Sequence, residues 1–125
     1  MKTVLLTDDN VDIIELIKLI LKDSGYKLET AADGESAVKF CLETPPDMVI
    51  MDLKMPIMNG INAIKTLREE GYAEPIVVLT ASESANDKKQ ALAAGADDYI
   101  LKTMNMDGLT SALWRYLESD DDTVL

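Results

Sequence analysis

Three carboxylates follow two short apolar runs of the sequence. Asp8 and Asp9 come directly after the run Thr3–Thr7, and Asp52 comes directly after Met48–Met51. Carboxylates held a few ångströms apart repel one another at neutral pH, and a hard divalent cation removes that cost. Mg²⁺ suits such a place, because it binds one or two carboxylates, carbonyl oxygens and waters and completes its shell with a phosphate oxygen. The sequence therefore predicts a Mg²⁺ site if both runs end at the same edge.

A hydroxyl and an ammonium group end two further apolar runs. Thr80 is the last residue of Ile76–Thr80, and Lys102 follows Asp98–Leu101. A metal ion, a hydroxyl and an ammonium around a phosphoryl group supply the electrostatic stabilisation that phosphoryl transfer needs. A carboxylate can serve as the nucleophile and form an aspartyl phosphate. Each residue alone has an ordinary explanation as the polar end of a strand, so only their joint placement points to this chemistry.

The elements that must position these residues alternate regularly along the chain. Five short apolar runs are predicted as strands: Thr3–Thr7, Lys27–Ala31, Met48–Met51, Ile76–Thr80 and Asp98–Leu101. Each is followed by a segment long enough for one crossover helix, which is typical of a parallel sheet covered on both faces. We therefore predict an α/β fold, a doubly wound five-stranded parallel sheet of order 2-1-3-4-5 in a flavodoxin-like three-layer sandwich. In such sheets the working site lies beyond the carboxyl ends of strands 1 and 3.

The predicted helices follow from apolar residues at helical spacing. The first lies between a cap at Asn10 and a stop at Gly25, and the second is expected to bury Ala37, Val38, Cys41 and Leu42. The other predicted ranges are Glu35–Glu43, Ile61–Glu70, Ala85–Ala94 and Asp107–Glu118.

Composition excludes several classes of site. The 125 residues indicate one domain, which we place at 1–118, followed by an acidic C-terminal tail at 119–125. There is no histidine and the single cysteine is Cys41, so His-based nucleophile triads, His-ligated zinc and disulfides within the chain are excluded. A net charge of −11 argues against direct nucleic-acid binding and favours cations and basic partners. No apolar run predicts a membrane span, and we expect a cytoplasmic location.

Five segments together resemble the receiver (CheY-like) domain of two-component response regulators. They cover nearly the whole chain in order, and the stretch around Asp52 is the most specific of them. The segments are Val4–Asn10, Ala31–Ala37, Met51–Gly60, Pro75–Ala81 and Ala94–Lys102.

The resemblance implies a role for each residue of the carboxylate group. Asp52 matches the phosphoacceptor of the family. Asp8 and Asp9 match the acidic pair that binds Mg²⁺, and the backbone carbonyl of Lys54 matches a further metal ligand. Such a domain accepts a phosphoryl group from a phosphohistidine on a partner, a histidine kinase or a histidine phosphotransfer protein, which agrees with the absence of histidine from this chain.

The resemblance also implies a conformational switch. Thr80 matches the hydroxyl that moves to the phosphoryl group, Lys102 matches the lysine that pairs with it, and Tyr99 matches the aromatic residue that turns inward. In the family the change is read by an output protein or domain on the face of helix four, strand five and helix five. The implied function is a phosphoacceptor signalling domain, not an enzyme that turns over a substrate.

One position departs from the family pattern. The family has proline after the conserved lysine, joined by a cis bond, whereas Thr103 follows Lys102 here. A cis bond without proline costs about 2.5–4 kcal/mol. Either the loop is trans and has a different shape or the strained bond is retained, and we favour the cis bond because Lys102 must reach the site.

Three alternatives stay open at this point. An aspartate-nucleophile phosphatase needs a second aspartate two residues after the first, where this chain has Lys54. A flavin carrier of similar fold needs a phosphate cradle rich in serine, threonine and glycine, which the loops at the switch point do not contain. A receiver that only binds partners does not need the full set of acidic, hydroxyl and lysine residues found here.

Overall fold

The five predicted strands form one parallel sheet. The computed structural model describes residues 1–103 and 106–118, and the strand order is β2-β1-β3-β4-β5, as the alternating pattern predicts. The strand bounds also match the predicted runs, because nearly continuous apolar residues are what a strand covered on both faces requires. The strands are β1 Thr3–Thr7, β2 Lys27–Ala31, β3 Met48–Met51, β4 Ile76–Thr80 and β5 Asp98–Leu101.

The helices lie near their predicted ranges. Asn10 caps α1 by accepting the backbone N–H groups of Asp12 and Ile13, and Gly25 beyond its end has a φ of +88°. The second and third helices each begin one residue before the predicted start, and α3 ends one residue earlier. The bounds are α1 Val11–Leu21, α2 Gly34–Glu43, α3 Gly60–Glu69, α4 Ala85–Ala94 and α5 Asp107–Leu113.

The last helix differs from the regular helix predicted over 107–118. After α5, a π-helical turn covers Trp114–Glu118, which keeps Leu117 in the core. Among the contacts at this end, two come from the first part of the chain: Lys2 Nζ donates to the Leu117 carbonyl, and the Tyr26 hydroxyl donates to the Glu118 carboxylate. These contacts link residues about a hundred positions apart, so helical periodicity alone cannot predict the wider turn. The predicted tail at 119–125 lies outside the described residues.

The core has two halves, one on each side of the sheet. Alternate residues of β1 point to opposite halves: Val4 and Leu6 pack toward α1 and α5, whereas Leu5 packs toward α2 and α3. The prediction that Leu42 is buried is wrong, since 48% of it is exposed. The buried stripe of α2 runs through Ala37 and Cys41, and Leu42 lies a further 100° around the helix.

Strand pairing brings the ends of the central strands together. The backbone N–H of Asp8 donates to the Ala31 carbonyl of β2, and that of Asp52 donates to the Thr7 carbonyl of β1. The residues after β1 and β3 therefore lie side by side at the carboxyl edge of the sheet. No helix within 1–103 or 106–118 is long and apolar enough to cross a membrane.

Candidate functional site

The three carboxylates predicted to meet do form one cluster. One oxygen from each of Asp8, Asp9 and Asp52 lies within 4.8 Å of the other two. Asp8 and Asp52 are buried, with 1% and 7% of each residue exposed, whereas Asp9 is exposed and faces solvent. Two desolvated carboxylates thus form the buried part of the cluster, and the cluster is open to solvent on the Asp9 side.

Asp8 is fixed by two different partners. Its Oδ1 accepts the backbone N–H of Asn10 at 2.9 Å, and its Oδ2 lies 2.8 Å from Lys102 Nζ. Asn10 also caps α1, so the turn that starts this helix holds the carboxylate of Asp8 at the same time.

Asp52 is held in a similar way at the end of β3. Its Oδ1 accepts the backbone N–H of Leu53 at 2.8 Å, and its Oδ2 lies 3.3 Å from Lys102 Nζ. Burial raises the pKa of the Asp52 carboxyl, the Lys102 ammonium opposes this, and the nearby charge of Asp8 raises the pKa further. The net direction of the pKa shift is upward, because burial of the carboxyl outweighs the attraction of the Lys102 ammonium.

The side chain of Lys102 contacts both buried carboxylates, Asp8 and Asp52, and the peptide bond that follows Lys102 is trans. The described part of the chain contains no cis peptide bond, so the expectation of a cis bond between Lys102 and Thr103 is wrong. The backbone N–H of Lys102 still pairs with the Thr80 carbonyl, which continues the register of β4 and β5 and directs the side chain to the cluster. A long lysine side chain spans the remaining distance without the strained bond.

The charge of Lys102 is maintained by the carboxylates. Burial alone lowers the pKa of its ammonium, but the hydrogen bond that it donates to Asp8 and the charges of Asp52 and Asp8 outweigh burial and raise it. Lys102 is therefore a fixed positive charge at the site, placed between Asp8 and Asp52.

The hydroxyl and the aromatic residue are connected through a residue that the sequence did not single out for this role. Thr80 is buried, and its Oγ1 accepts the backbone N–H of Ser82 at 3.3 Å. Tyr99 is half-buried, and its hydroxyl donates to the Ser82 carbonyl at 2.9 Å. The Ser82 hydroxyl donates to Asp87 Oδ2 at 2.6 Å, which ties the same loop to α4. Ser82 thus joins Thr80, Tyr99 and α4.

The sequence around Asp87 contains a helix-capping pattern, but that pattern predicts a different hydrogen bond for its carboxylate from the one observed. Ser84 with Asp87 three residues later is a capping pattern for the start of a helix. The Ser84 hydroxyl does accept the backbone N–H of Asp87, but the Asp87 carboxylate accepts from Ser82. Only the tertiary position of the loop decides this choice.

The loop after Asp52 packs closely against the backbone of β3. The Gly60 backbone N–H donates to the Leu53 carbonyl at 2.9 Å, and a Cβ at Gly60 would lie 2.1 Å from the Asp52 carbonyl oxygen. Only glycine allows α3 to begin this near to Asp52. The loop also contains Lys54, whose side chain is exposed and whose backbone carbonyl is the predicted fourth ligand.

The residues present fit a hard divalent cation. The donors are carboxylate oxygens, two of them on buried residues, and burial raises the pKa of Asp52, so its ionised form carries a desolvation cost that a cation would offset. Oxygen-only ligands and one open side are the arrangement in which Mg²⁺ retains waters and accepts a phosphate oxygen.

Comparison with known proteins identifies relatives along nearly the whole chain. The family profile described as "Response regulator receiver domain" matches residues 4–114. The transcriptional regulatory protein KdpE of Mycobacterium tuberculosis is 41% identical over 114 residues, which cover 90% of this chain and 50% of KdpE. The chain spans about half the length, or somewhat less, of the curated relatives it matches.

Solved structures agree in fold over almost their full length. The chemotaxis protein CheY4 of Vibrio cholerae has a TM-score of 0.85 and 34% identity, covering 94% of this chain and 99% of that one. The response regulator TrrA of Thermotoga maritima, in complex with Mg²⁺-BeF, has a TM-score of 0.85 and 33% identity, covering 94% of this chain and 100% of that one. The chain therefore belongs to the response regulator receiver domain family of two-component signalling.

Proposed function

We propose that Asp52 accepts a phosphoryl group from a phosphohistidine on a partner protein, in a Mg²⁺-dependent reaction that switches the domain between two conformations. The observation that carries this proposal is the cluster of Asp8, Asp9 and Asp52 with Lys102 between its two buried members. The proposed partner is a histidine kinase or a histidine phosphotransfer protein, as membership of the receiver family supports, and the absence of histidine from this chain agrees with it.

The roles of the residues follow from their atoms. A carboxylate oxygen of Asp52 forms a bond to phosphorus while the bond between phosphorus and the donor's imidazole nitrogen breaks, and that nitrogen keeps the electron pair. Lys102 donates to the phosphoryl oxygens, and the Thr80 hydroxyl moves from its Ser82 partner to donate to them as well.

The metal ligands in this proposal are the carboxylates of Asp8, Asp9 and Asp52 and the backbone carbonyl of Lys54. Bound Mg²⁺ supplies positive charge that offsets the carboxylates and the incoming phosphoryl oxygens. Asp8 and Asp52 hold their positions before any metal arrives, because the N–H groups of Asn10 and Leu53 fix one oxygen of each.

The proposed output surface is the face of α4, β5 and α5. On the α4 and β5 part of this face, a cleft of about 420 Å³ is lined by Tyr99 and Leu101 of β5 and by Lys88 of α4. Because the Tyr99 hydroxyl is bonded to the loop that follows Thr80, movement of Thr80 changes one wall of the cleft. An output protein or domain that binds this cleft would therefore detect phosphorylation.

The 125-residue chain has a net charge of −11, which supports regulation through protein partners without direct contact to nucleic acid. We place the receiver domain at 1–118, with an acidic tail at 119–125, and the protein in the cytoplasm with its histidine-bearing partner. Its chemistry is limited to its own phosphorylation and dephosphorylation.

Intact-mass measurement tests the phosphoacceptor. The protein is incubated with acetyl phosphate, with and without Mg²⁺, as wild type, Asp52→Asn and Asp23→Asn; Asp23 is an exposed aspartate remote from the site. We expect a Mg²⁺-dependent adduct of one phosphoryl group on wild type and Asp23→Asn, and none on Asp52→Asn. No adduct on wild type contradicts the proposal, and an adduct that persists in Asp52→Asn shows that the site is misplaced.

A further inference from the structure

Gly34, the first residue of α2, lies unusually close to the loop that follows Asp52. Its backbone N–H donates to the Met58 carbonyl at 3.1 Å. A Cβ built on Gly34 would lie 2.4 Å from that same carbonyl oxygen and 3.1 Å from Ala63 Cβ. Real Cβ atoms do not approach a backbone oxygen this closely, so any side chain here would push α2 and the β3–α3 loop apart.

The need for glycine at this position is one of space. The φ of Gly34 lies outside the left-handed region, so its backbone conformation is open to other residues. Gly25 and Gly71 show the opposite case: both have positive φ, and a Cβ on either would meet nothing within 4 Å. Gly34 is therefore a contact point between two elements, whereas those glycines permit turns.

The loop that Gly34 contacts is strained. Ile57 has a φ of +69°, and the Met58 N–H donates to the Pro56 carbonyl at 2.7 Å, which closes a turn of three residues. This turn has a high conformational energy, and the energy is higher still for a β-branched residue such as Ile57. It therefore persists only where surrounding structure holds it. The Gly34 hydrogen bond to Met58 is such a restraint, placed directly after the strained residue.

The β2–α2 junction restrains the other side of the metal site as well. The Ala31 carbonyl accepts the backbone N–H of Asp8, three residues before Gly34 accommodates the β3–α3 loop. Between them, Asp33 accepts the backbone N–H of Ser36 at 2.7 Å and fixes the start of α2. One short segment that contributes no carboxylate to the cluster therefore contacts both loops that carry its ligands.

We propose that Gly34 is a positioning residue of the metal site: by lacking a side chain, it lets α2 hold the β3–α3 loop in place relative to Asp8. This inference rests on the proposed function, in which Asp52 and the Lys54 carbonyl of that loop bind Mg²⁺. Gly34 touches no ligand atom in this scheme and acts through the loop alone.

Calorimetric titration with Mg²⁺ alone tests this proposal on wild type, Gly34→Ala and Gly95→Ala. Gly95 is the matched control, because its Cβ would meet Arg68 Cγ at 2.5 Å and its φ is +123°, yet it precedes β5 at the opposite edge of the sheet. Both variants should lose stability. Only Gly34→Ala should weaken Mg²⁺ binding, by about 10-fold or more, as expected when a group that supports the ligands is disturbed.

A measurement on the wild type covers the case in which Gly34→Ala fails to fold. If Gly34 and the metal site are coupled, saturating Mg²⁺ must slow hydrogen exchange of the Gly34 amide, because coupling is reciprocal. The Asp97 amide, bonded to the Ile76 carbonyl at the opposite edge, is the control. A Gly34 amide that exchanges no more slowly relative to Asp97, or Gly34→Ala binding Mg²⁺ as tightly as wild type, overturns the positioning role. Wild type that binds no Mg²⁺ overturns the proposed metal site, and the positioning role with it.

Discussion

Lys102 Nζ lies 2.8 Å from Asp8 Oδ2, closer than the 3.3 Å that separates it from Asp52 Oδ2. The ammonium thus neutralises Asp8, a predicted metal ligand, at least as directly as it neutralises Asp52, the predicted phosphoacceptor. A divalent cation that binds at this site would therefore compete with Lys102 for Asp8.

Replacing Lys102 by methionine tests this competition. Without Mg²⁺, Lys102→Met leaves two buried carboxylates without their counter-charge, and the free energy of unfolding should fall by about 2–4 kcal/mol. Mg²⁺ should then stabilise the variant more than it stabilises wild type, because the metal no longer displaces an ammonium. Denaturant unfolding with and without Mg²⁺ measures both effects.

The control for that comparison is Lys39→Met. Lys39 is exposed on α2, so this substitution removes the same charge from the surface. It should leave the free energy of unfolding within about 0.5 kcal/mol of wild type, as is usual for surface substitutions. Equal stability of wild type and Lys102→Met in the absence of metal would contradict the bridging role.

Asp52→Asn should stabilise the metal-free protein at neutral pH. The folded-state pKa of Asp52 is raised, chiefly by burial, so its ionised form costs stability at pH values above that pKa. Removing the charge should raise the thermal midpoint by about 2–6 °C, the change that roughly 1 kcal/mol produces in a domain of this size.

The gain in stability from Asp52→Asn should depend on pH. As pH falls through the raised pKa, Asp52 takes up a proton in the folded protein before it does so in the unfolded chain, and the cost disappears. The advantage of Asp52→Asn should therefore be largest near pH 7 and shrink toward pH 4. Melting curves at both pH values, with Mg²⁺ removed by a chelator, measure it. An asparagine variant that is less stable at pH 7 would run against this reading.

Gly60→Ala should lower the free energy of unfolding far more than Gly25→Ala does. A Cβ at Gly60 would lie 2.1 Å from the Asp52 carbonyl oxygen, which belongs to the backbone and cannot rotate away. We expect a loss of about 2–4 kcal/mol in the free energy of unfolding. Gly25→Ala, which adds a methyl group to open space at a φ of +88°, should cost only about 1 kcal/mol. Urea unfolding of the two variants side by side decides this, and similar losses would count against the close approach.

Much of this architecture could be predicted because it depends on local pattern. Apolar runs define the five strands, and parallel strands with helical crossovers bring residues after β1 and β3 to one edge. The meeting of Asp8, Asp9 and Asp52 follows from that topology alone. Burial of Asp8 and Asp52 then follows from their place at the end of a covered sheet, and this burial is the chief cause of the raised pKa of Asp52.

What could not be predicted depends on contacts between distant residues. The side chain of Lys102 reaches the cluster although the bond after it is trans, because the register of β4 and β5 already directs it there. Leu42 is exposed although it lies next to the buried Cys41, since the buried stripe of α2 is narrow. The contact between Ser82 and Asp87 depends on how the β4–α4 loop folds back on its helix, and nothing in the local sequence fixes that.

That last contact leads to a prediction about the proposed switch. The Ser82 hydroxyl bonds to Asp87 on α4, while its backbone N–H bonds to Thr80 and its carbonyl bonds to Tyr99. Ser82→Ala removes only the side-chain bonds and should cost about 0.5–1.5 kcal/mol in the free energy of unfolding. It should also loosen the first turn of α4, so that amide hydrogen exchange at Lys88 becomes faster.

The matched variant is Tyr99→Phe, which removes the bond to the Ser82 carbonyl but leaves the bond to Asp87 in place. It should leave exchange at Lys88 near the wild-type rate. If Ser82 couples the phosphorylation site to α4 through its hydroxyl, treatment with acetyl phosphate and Mg²⁺ should change the exchange rate at Lys88 in wild type and much less in Ser82→Ala. An equal change in both would mean that α4 responds through the backbone of the β4–α4 loop, because the hydroxyl is the only group that differs.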